Sequence, residues 1–153
     1  MQEGAIVLLV EDDESDAIFF QRAVQKNGFP YRVHVAGNGK EAMEYIQGLG
    51  EFSDRTRYPF PKFIITDNRM PVMTGNEFLK WLRAHPEFSV VPTIILGGSE
   101  QDSEIDFAYE ELRVHSYIVK PSDVNKLQDV VKRIFDYWSV CRLPTCKQEK
   151  NSP

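Results

Sequence analysis

Five short apolar runs alternate with five amphipathic stretches along this chain, and few folds accept that rhythm. The runs are Ala5–Val10, Tyr31–Ala36, Phe63–Thr66, Pro92–Leu96 and Ser116–Val119. The first is apolar without alternation, as a strand buried on both faces of a parallel sheet must be. Each run is followed by helical spacing. Ala17, Phe20 and Val24 fall on one side, as do Ala42, Ile46 and Leu49, and then Phe78, Leu79 and Leu82. Ile105, Ala108, Tyr109 and Leu112 form a fourth stripe, and Val124, Leu127, Val131, Ile134 and Trp138 a fifth. Asn27-Gly28 suits a helix end, Asn38 a helix start, and His85-Pro86 a helix stop. Residues 48–62 show no period and read as a loop. The alternation predicts a three-layer α/β sandwich around a parallel five-stranded sheet, with right-handed crossovers.

A chain of 153 residues suits one domain, expected over residues 1–141, with 142–153 as a flexible polar tail. The net charge of −5 argues against a nucleic-acid partner, which needs a basic face. There is no membrane-spanning apolar run and no basic, apolar leader, so a cytoplasmic protein is expected. Cys141 and Cys146 are then expected as reduced thiols.

Ligands of parallel α/β sheets bind beyond the carboxyl ends of the strands. Those ends carry Glu11, Asp12 and Asp13, then Asp67, then Gly97-Gly98, then Lys120. Grouped carboxylates repel one another, and a hard divalent cation such as Mg²⁺ relieves the repulsion. Such a cation bridges carboxylate and phosphoryl oxygens, Lys120 offers a second positive contact, and Asp67 is placed to act as a carboxylate nucleophile toward phosphorus. Read singly, Asp67 is a helix cap and Lys120 a surface lysine. Asp13, Glu14 and Asp16 are better read as acids at a helix N-terminus. The conjunction of Glu11, Asp12, Asp67 and Lys120 favours the chemical reading.

Leu8-Leu-Val-Glu-Asp-Asp13, Ile65-Thr-Asp-Asn-Arg-Met-Pro71 with Gly75, and Tyr117-Ile-Val-Lys-Pro121 resemble the three signature segments of response-regulator receiver domains. The resemblance covers nearly the whole chain. It implies a flavodoxin-like (βα)5 fold with strand order 2-1-3-4-5 and Asp67 as phosphoacceptor. It implies Mg²⁺ held by Asp12, Asp67 and the backbone carbonyl of Arg69, with Glu11 assisting, and Lys120 paired with the phosphoryl group. Tyr117 matches an aromatic that changes rotamer, and Lys120-Pro121 a peptide bond that is often cis. Residues 48–62, Tyr109-Glu-Glu-Leu112 and the segment from Tyr137-Trp138 to Leu143-Pro144 look similar to regulators associated with bacterial phytochromes.

One position departs from the pattern. Gly97 stands where the family usually carries Thr or Ser, whose hydroxyl bonds the phosphoryl oxygen; Ser99 lies two residues on as a possible substitute. The resemblance implies a non-enzymatic signalling protein. A sensor histidine kinase, phytochrome-type among the options, or a histidine phosphotransfer protein would phosphorylate it. With no output domain after the last helix, output is expected through protein contacts. Tyr109, Tyr117, Tyr137 and Trp138 are candidates for that face, and a homodimer through the fourth helix, fifth strand and last helix is an option; Trp138 reads equally well as core. The alternative is a pseudo-receiver scaffold whose switch Gly97 disables. A metal-dependent phosphohydrolase is disfavoured by Arg69, and a flavodoxin by the acids of Glu11 to Asp16.

Overall fold

The computed structural model describes residues 4–68 and 72–145. Strands β1 (Ala5–Val10), β2 (Tyr31–Ala36), β3 (Phe63–Thr66), β4 (Thr93–Gly97) and β5 (Ser116–Val119) alternate with helices α1 (Glu14–Lys26), α2 (Gly39–Gln47), α3 (Gly75–Arg83), α4 (Asp102–Glu110) and α5 (Val124–Ser139). All pairings are parallel, and the order is β2-β1-β3-β4-β5. The flavodoxin-like expectation holds.

The unbroken apolar run of β1 serves two cores. Ile6, Leu8 and Val10 face α2 and α3, packing with Tyr45, Ile46, Phe78 and Leu82. Val7 and Leu9 face α1 and α5, packing with Phe20, Val24, Val131 and Phe135. Successive strand residues point to opposite faces, so only a strand covered on both sides requires this composition. Trp138 belongs to the second core: it is 5% exposed and its ring centroid lies 3.7 Å from that of Phe63.

Helix limits follow from local chemistry. Asp13 accepts from the Asp16 N–H at 3.0 Å, Asn38 from Glu41 at 2.9 Å and Thr74 from Glu77 at 3.1 Å, each satisfying an otherwise unpaired first-turn donor. Gly48 ends α2 at φ 69°, and Leu49, past that turn, is exposed rather than part of the apolar stripe. The α4 stripe is also thinner than its spacing suggests. Ala108 is buried and Leu112 packs just beyond the helix, but Tyr109 is exposed, as is Val124 at the start of α5. Both lie on elements at the open β5 edge of the sheet, where less protein covers the helix.

Residues 48–62 form a loop around a 3-10 turn, Gly50–Phe52, and it is tightly held. The Arg55 guanidinium donates to the carbonyls of Tyr45 (2.8 Å), Ile46 (2.6 Å) and Tyr58 (3.0 Å), closing the end of α2. His34 stacks near Tyr45 at 4.6 Å between centroids, and burial lowers its pKa. A second arginine, the buried Arg83, ties α3 to the turn after α4. It donates to the carbonyls of Leu112 (2.8 Å), Ser89 (2.9 Å), Val91 (3.4 Å) and Arg113 (3.2 Å), and burial, with Arg113 nearby, lowers its pKa to about 10.

Beyond α5, Leu143 packs against the α1–α5 core, while residues 146–153, with Cys146, lie outside the described residues. Among the described residues no helix is long and apolar enough to cross a membrane.

Candidate functional site

Register brings the charged residues together. Val10 lies level with Ala36 and Thr66, and Thr66 with Ile95. Glu11 and Asp67 therefore leave neighbouring strands side by side. The ladder continues one step past them: the Glu11 N–H donates to Ala36 O (2.9 Å) and the Asp67 N–H to Val10 O (3.0 Å). Gly97 is level with Val119, and the Lys120 N–H donates to Gly97 O at 2.8 Å, so Lys120 leaves the sheet at the same rim.

One carboxylate oxygen from each of Glu11, Asp12 and Asp67 lies within 4.8 Å of the others. The Lys120 ammonium sits beside them, 2.7 Å from Glu11 Oε2 and 3.5 Å from Asp67 Oδ2. Glu11 is 7% exposed; its other oxygen accepts the Asp13 N–H at 3.1 Å. Burial raises the Glu11 pKa, with Lys120 opposing the rise. Burial works against the charge on Lys120, but hydrogen bonds to Asp16 and Glu11 outweigh it and hold the pKa above the usual lysine value. The rim is a partly enclosed set of hard oxygen donors with one fixed cation, chemistry suited to a divalent metal ion and a phosphoryl group.

The helix after Asp67 is fitted closely to it. Thr66 Oγ1 donates to Asp67 O at 2.7 Å. A Cβ on Gly75 would collide with that same carbonyl, so α3 can start where it does only with glycine. Thr74, not Asp67, caps α3, which removes the bland reading of Asp67. Arg69, whose carbonyl completes the expected metal set, lies outside the described residues.

The response regulator receiver domain model matches residues 7–132. The chain belongs to that family. Receivers are signalling domains of two-component systems, phosphorylated on aspartate with Mg²⁺ present. The chain is 32% identical over 137 residues to the probable methanogenesis regulatory protein FilR2 of Methanothrix harundinacea, covering 90% of this chain and 85% of that one. Among solved structures it resembles the phosphorylated cyanobacterial phytochrome response regulator RcpA, with TM-score 0.84 and 29% identity over 92% of this chain and 99% of that one. It also resembles the Mn²⁺-bound form of response regulator Rcp1, with TM-score 0.83 and 26% identity over the same shares.

In this receiver the corner between β4 and β5 holds the departure. A Cβ on Gly97 would fall inside the Tyr117 side chain, so the ring occupies the space a residue-97 side chain would take. The Tyr117 hydroxyl donates to Ser99 O at 2.9 Å, and its N–H donates to the Tyr109 hydroxyl at 2.9 Å. Ser99 is buried and its hydroxyl accepts the Gln101 N–H at 3.1 Å, which engages it with the approach to α4. The peptide bond before Pro121 is trans, unlike the often-cis expectation; the described residues contain no cis peptide.

Asp16 escaped the sequence reading. Its place in the first turn reads as a helix-dipole acid, yet its carboxylate lies 2.7 Å from Lys120. The signal was available. Asp13 caps α1, so Asp16 sits one turn in, on the end of α1 that overhangs the strand ends. Charge type alone does not tell a dipole acid from an ion-pair partner.

Proposed function

We propose that this receiver accepts a phosphoryl group on Asp67 from a phosphohistidine of a sensor kinase or histidine phosphotransfer protein. An Asp67 carboxylate oxygen attacks phosphorus; the P–N bond breaks, and its electron pair returns to the imidazole nitrogen. An acyl phosphate forms, adding negative charge beside Lys120. The observation that carries this reading is the convergence of Glu11, Asp12, Asp67 and Lys120 at one rim. Glu11, Asp12 and Asp67, with the Arg69 carbonyl, are assigned as the holders of Mg²⁺, which would supply positive charge against the phosphoryl oxygens. Lys120 supplies the protein's own positive charge beside Asp67.

The likeness to phytochrome response regulators supports a phytochrome-type kinase as donor. Output runs through protein contacts at α4, β5 and α5, where Tyr109 and Tyr137 are exposed, the latter by 66%, and a homodimer through this face fits them. The acidic charge supports a role without nucleic acid, and the compartment proposed is the cytoplasm.

The second reading is a pseudo-receiver scaffold, favoured by Tyr117 filling the space above Gly97. Intact-mass spectrometry after incubation with a small-molecule phosphodonor separates the two. A Mg²⁺-dependent adduct is expected on the parent and absent from Asp67→Asn. A folded parent that gains no adduct leaves the scaffold reading.

A further inference from the structure

We propose that Asp16 is a positioning residue for Lys120, and that Asp16 and Glu11 together aim the ammonium at the group arriving on Asp67. This inference rests on Asp67 being the phosphoacceptor. A lysine ammonium has three N–H donors on a flexible four-carbon stem. Lys120 reaches Asp16 Oδ2 and Glu11 Oε2 at 2.7 Å each, both within charge-assisted hydrogen-bond length. Asp67 Oδ2 lies at 3.5 Å, beyond that length. The two short contacts therefore go to Glu11 and Asp16, and the ammonium keeps only a long hydrogen bond, 3.5 Å, to Asp67.

The gap matters. A phosphoryl group on Asp67 carries its charged oxygens outward from the carboxylate. A lysine bound tightly to Asp67 itself would stand where those oxygens must go. One held short of Asp67 by two other acids meets them without first moving. Without Asp16 the ammonium has one short contact, to Glu11, and the long one to Asp67, and is free to shift between them. Asp16, reaching in from the first turn of α1, removes that freedom. Its side chain is 35% exposed, against 16% for Lys120, so the ion pair closes the solvent side of the lysine.

The test is a double-mutant cycle. The phosphorylation rate is followed by intact mass with acetyl phosphate and saturating Mg²⁺ for the parent, Asp16→Ala, Lys120→Ala and the double variant. Loss of one charge-assisted contact predicts a roughly five- to tenfold slower rate for Asp16→Ala, and little further change when it is added to Lys120→Ala. Equal slowing in both backgrounds would show that Asp16 serves only the helix, and an unchanged or faster rate in the single variant would also overturn the proposal, the faster rate marking Asp16 as a competitor for Lys120. A parent that takes no phosphoryl group refutes the acceptor reading instead. In that case heteronuclear NMR of the lysine ammonium groups decides the positioning. An immobilised, slowly exchanging Lys120 signal is expected in the parent and not in Asp16→Ala; its persistence in the variant overturns the proposal.

Discussion

At the ends of β1 and β3 charged groups crowd together, whereas at the ends of β4 and β5 an aromatic ring fills the space of a missing side chain. The two regions share one rim and obey different physics. The acid–lysine cluster is held by attraction among Glu11, Asp16, Asp67 and Lys120, so each member depends on the others' charge. The Gly97–Tyr117 corner is decided by volume, since the ring sits inward because residue 97 offers nothing to exclude it. A receiver rim can therefore keep its acid–lysine cluster together while one residue rewrites the steric corner beside it.

The widest disruption is expected from Gly75→Val, which drives a side chain into the Asp67 carbonyl. It should cost about 3 kcal/mol in urea denaturation and abolish adduct formation, whereas native-like stability would show that α3 can shift freely. Gly97→Thr sharpens the contrast. Overpacking against Tyr117 should cost about 2 kcal/mol while leaving adduct formation in place. Aromatic NMR should then show a Tyr117 ring that is displaced at rest and moves on phosphorylation, where the parent ring stays inward throughout. A parent ring that moves just as far would erase the distinction between the regions.

Asp12→Asn should weaken Mg²⁺ binding roughly tenfold or more by calorimetric titration, without altering the Tyr117 signals. An unchanged affinity removes Asp12 from the metal set. Tyr117→Phe loses the bond to Ser99 O and should cost about 1 kcal/mol, with the phosphorylation rate unchanged. A slowed rate would mean that the corner feeds back on the chemistry.

The smallest effect lies outside both regions. Burial lowers the His34 pKa below its ordinary 6.5, with Glu41 and Glu51 opposing; burial also lowers that of His115, with Arg83 adding to the shift. The unfolded chain then binds more protons than the folded one as pH falls below about 6.5, and stability declines in that window. Replacing His34 with Phe should flatten its share of the decline in urea melts, leaving that of His115.

The strands were legible because burial on both faces of a parallel sheet demands unbroken apolar runs, and Ala5–Val10 is one; their order followed only from the resemblance to receiver domains. The acidic rim was legible because Asp67 and Lys120 have no periodic reason to stand at strand ends. Other features needed coordinates. Tyr109 and Val124 match a helical stripe that the open sheet edge leaves uncovered. Trp138 read equally as core or interface until its packing on Phe63 was visible. Gly97 announced a missing hydroxyl but not the ring that fills its place. Asp16 shows the limit most plainly, because an acid in a first helical turn has two good reasons to be there, and only a distance separates them.

Arg83 holds the chain between α4 and β5 by main-chain oxygens alone. Such a clamp recognises the course of a segment and is indifferent to its composition. Leu112 is fixed by the core and Arg113 by its own bond back to Arg83 O at 3.3 Å, so exposed Glu111 is the position free to vary beside the end of α4 while the path stays constant. The arginine has no such latitude. A lysine offers donors from a single point and cannot span carbonyls contributed by Ser89, Leu112 and Arg113 at once.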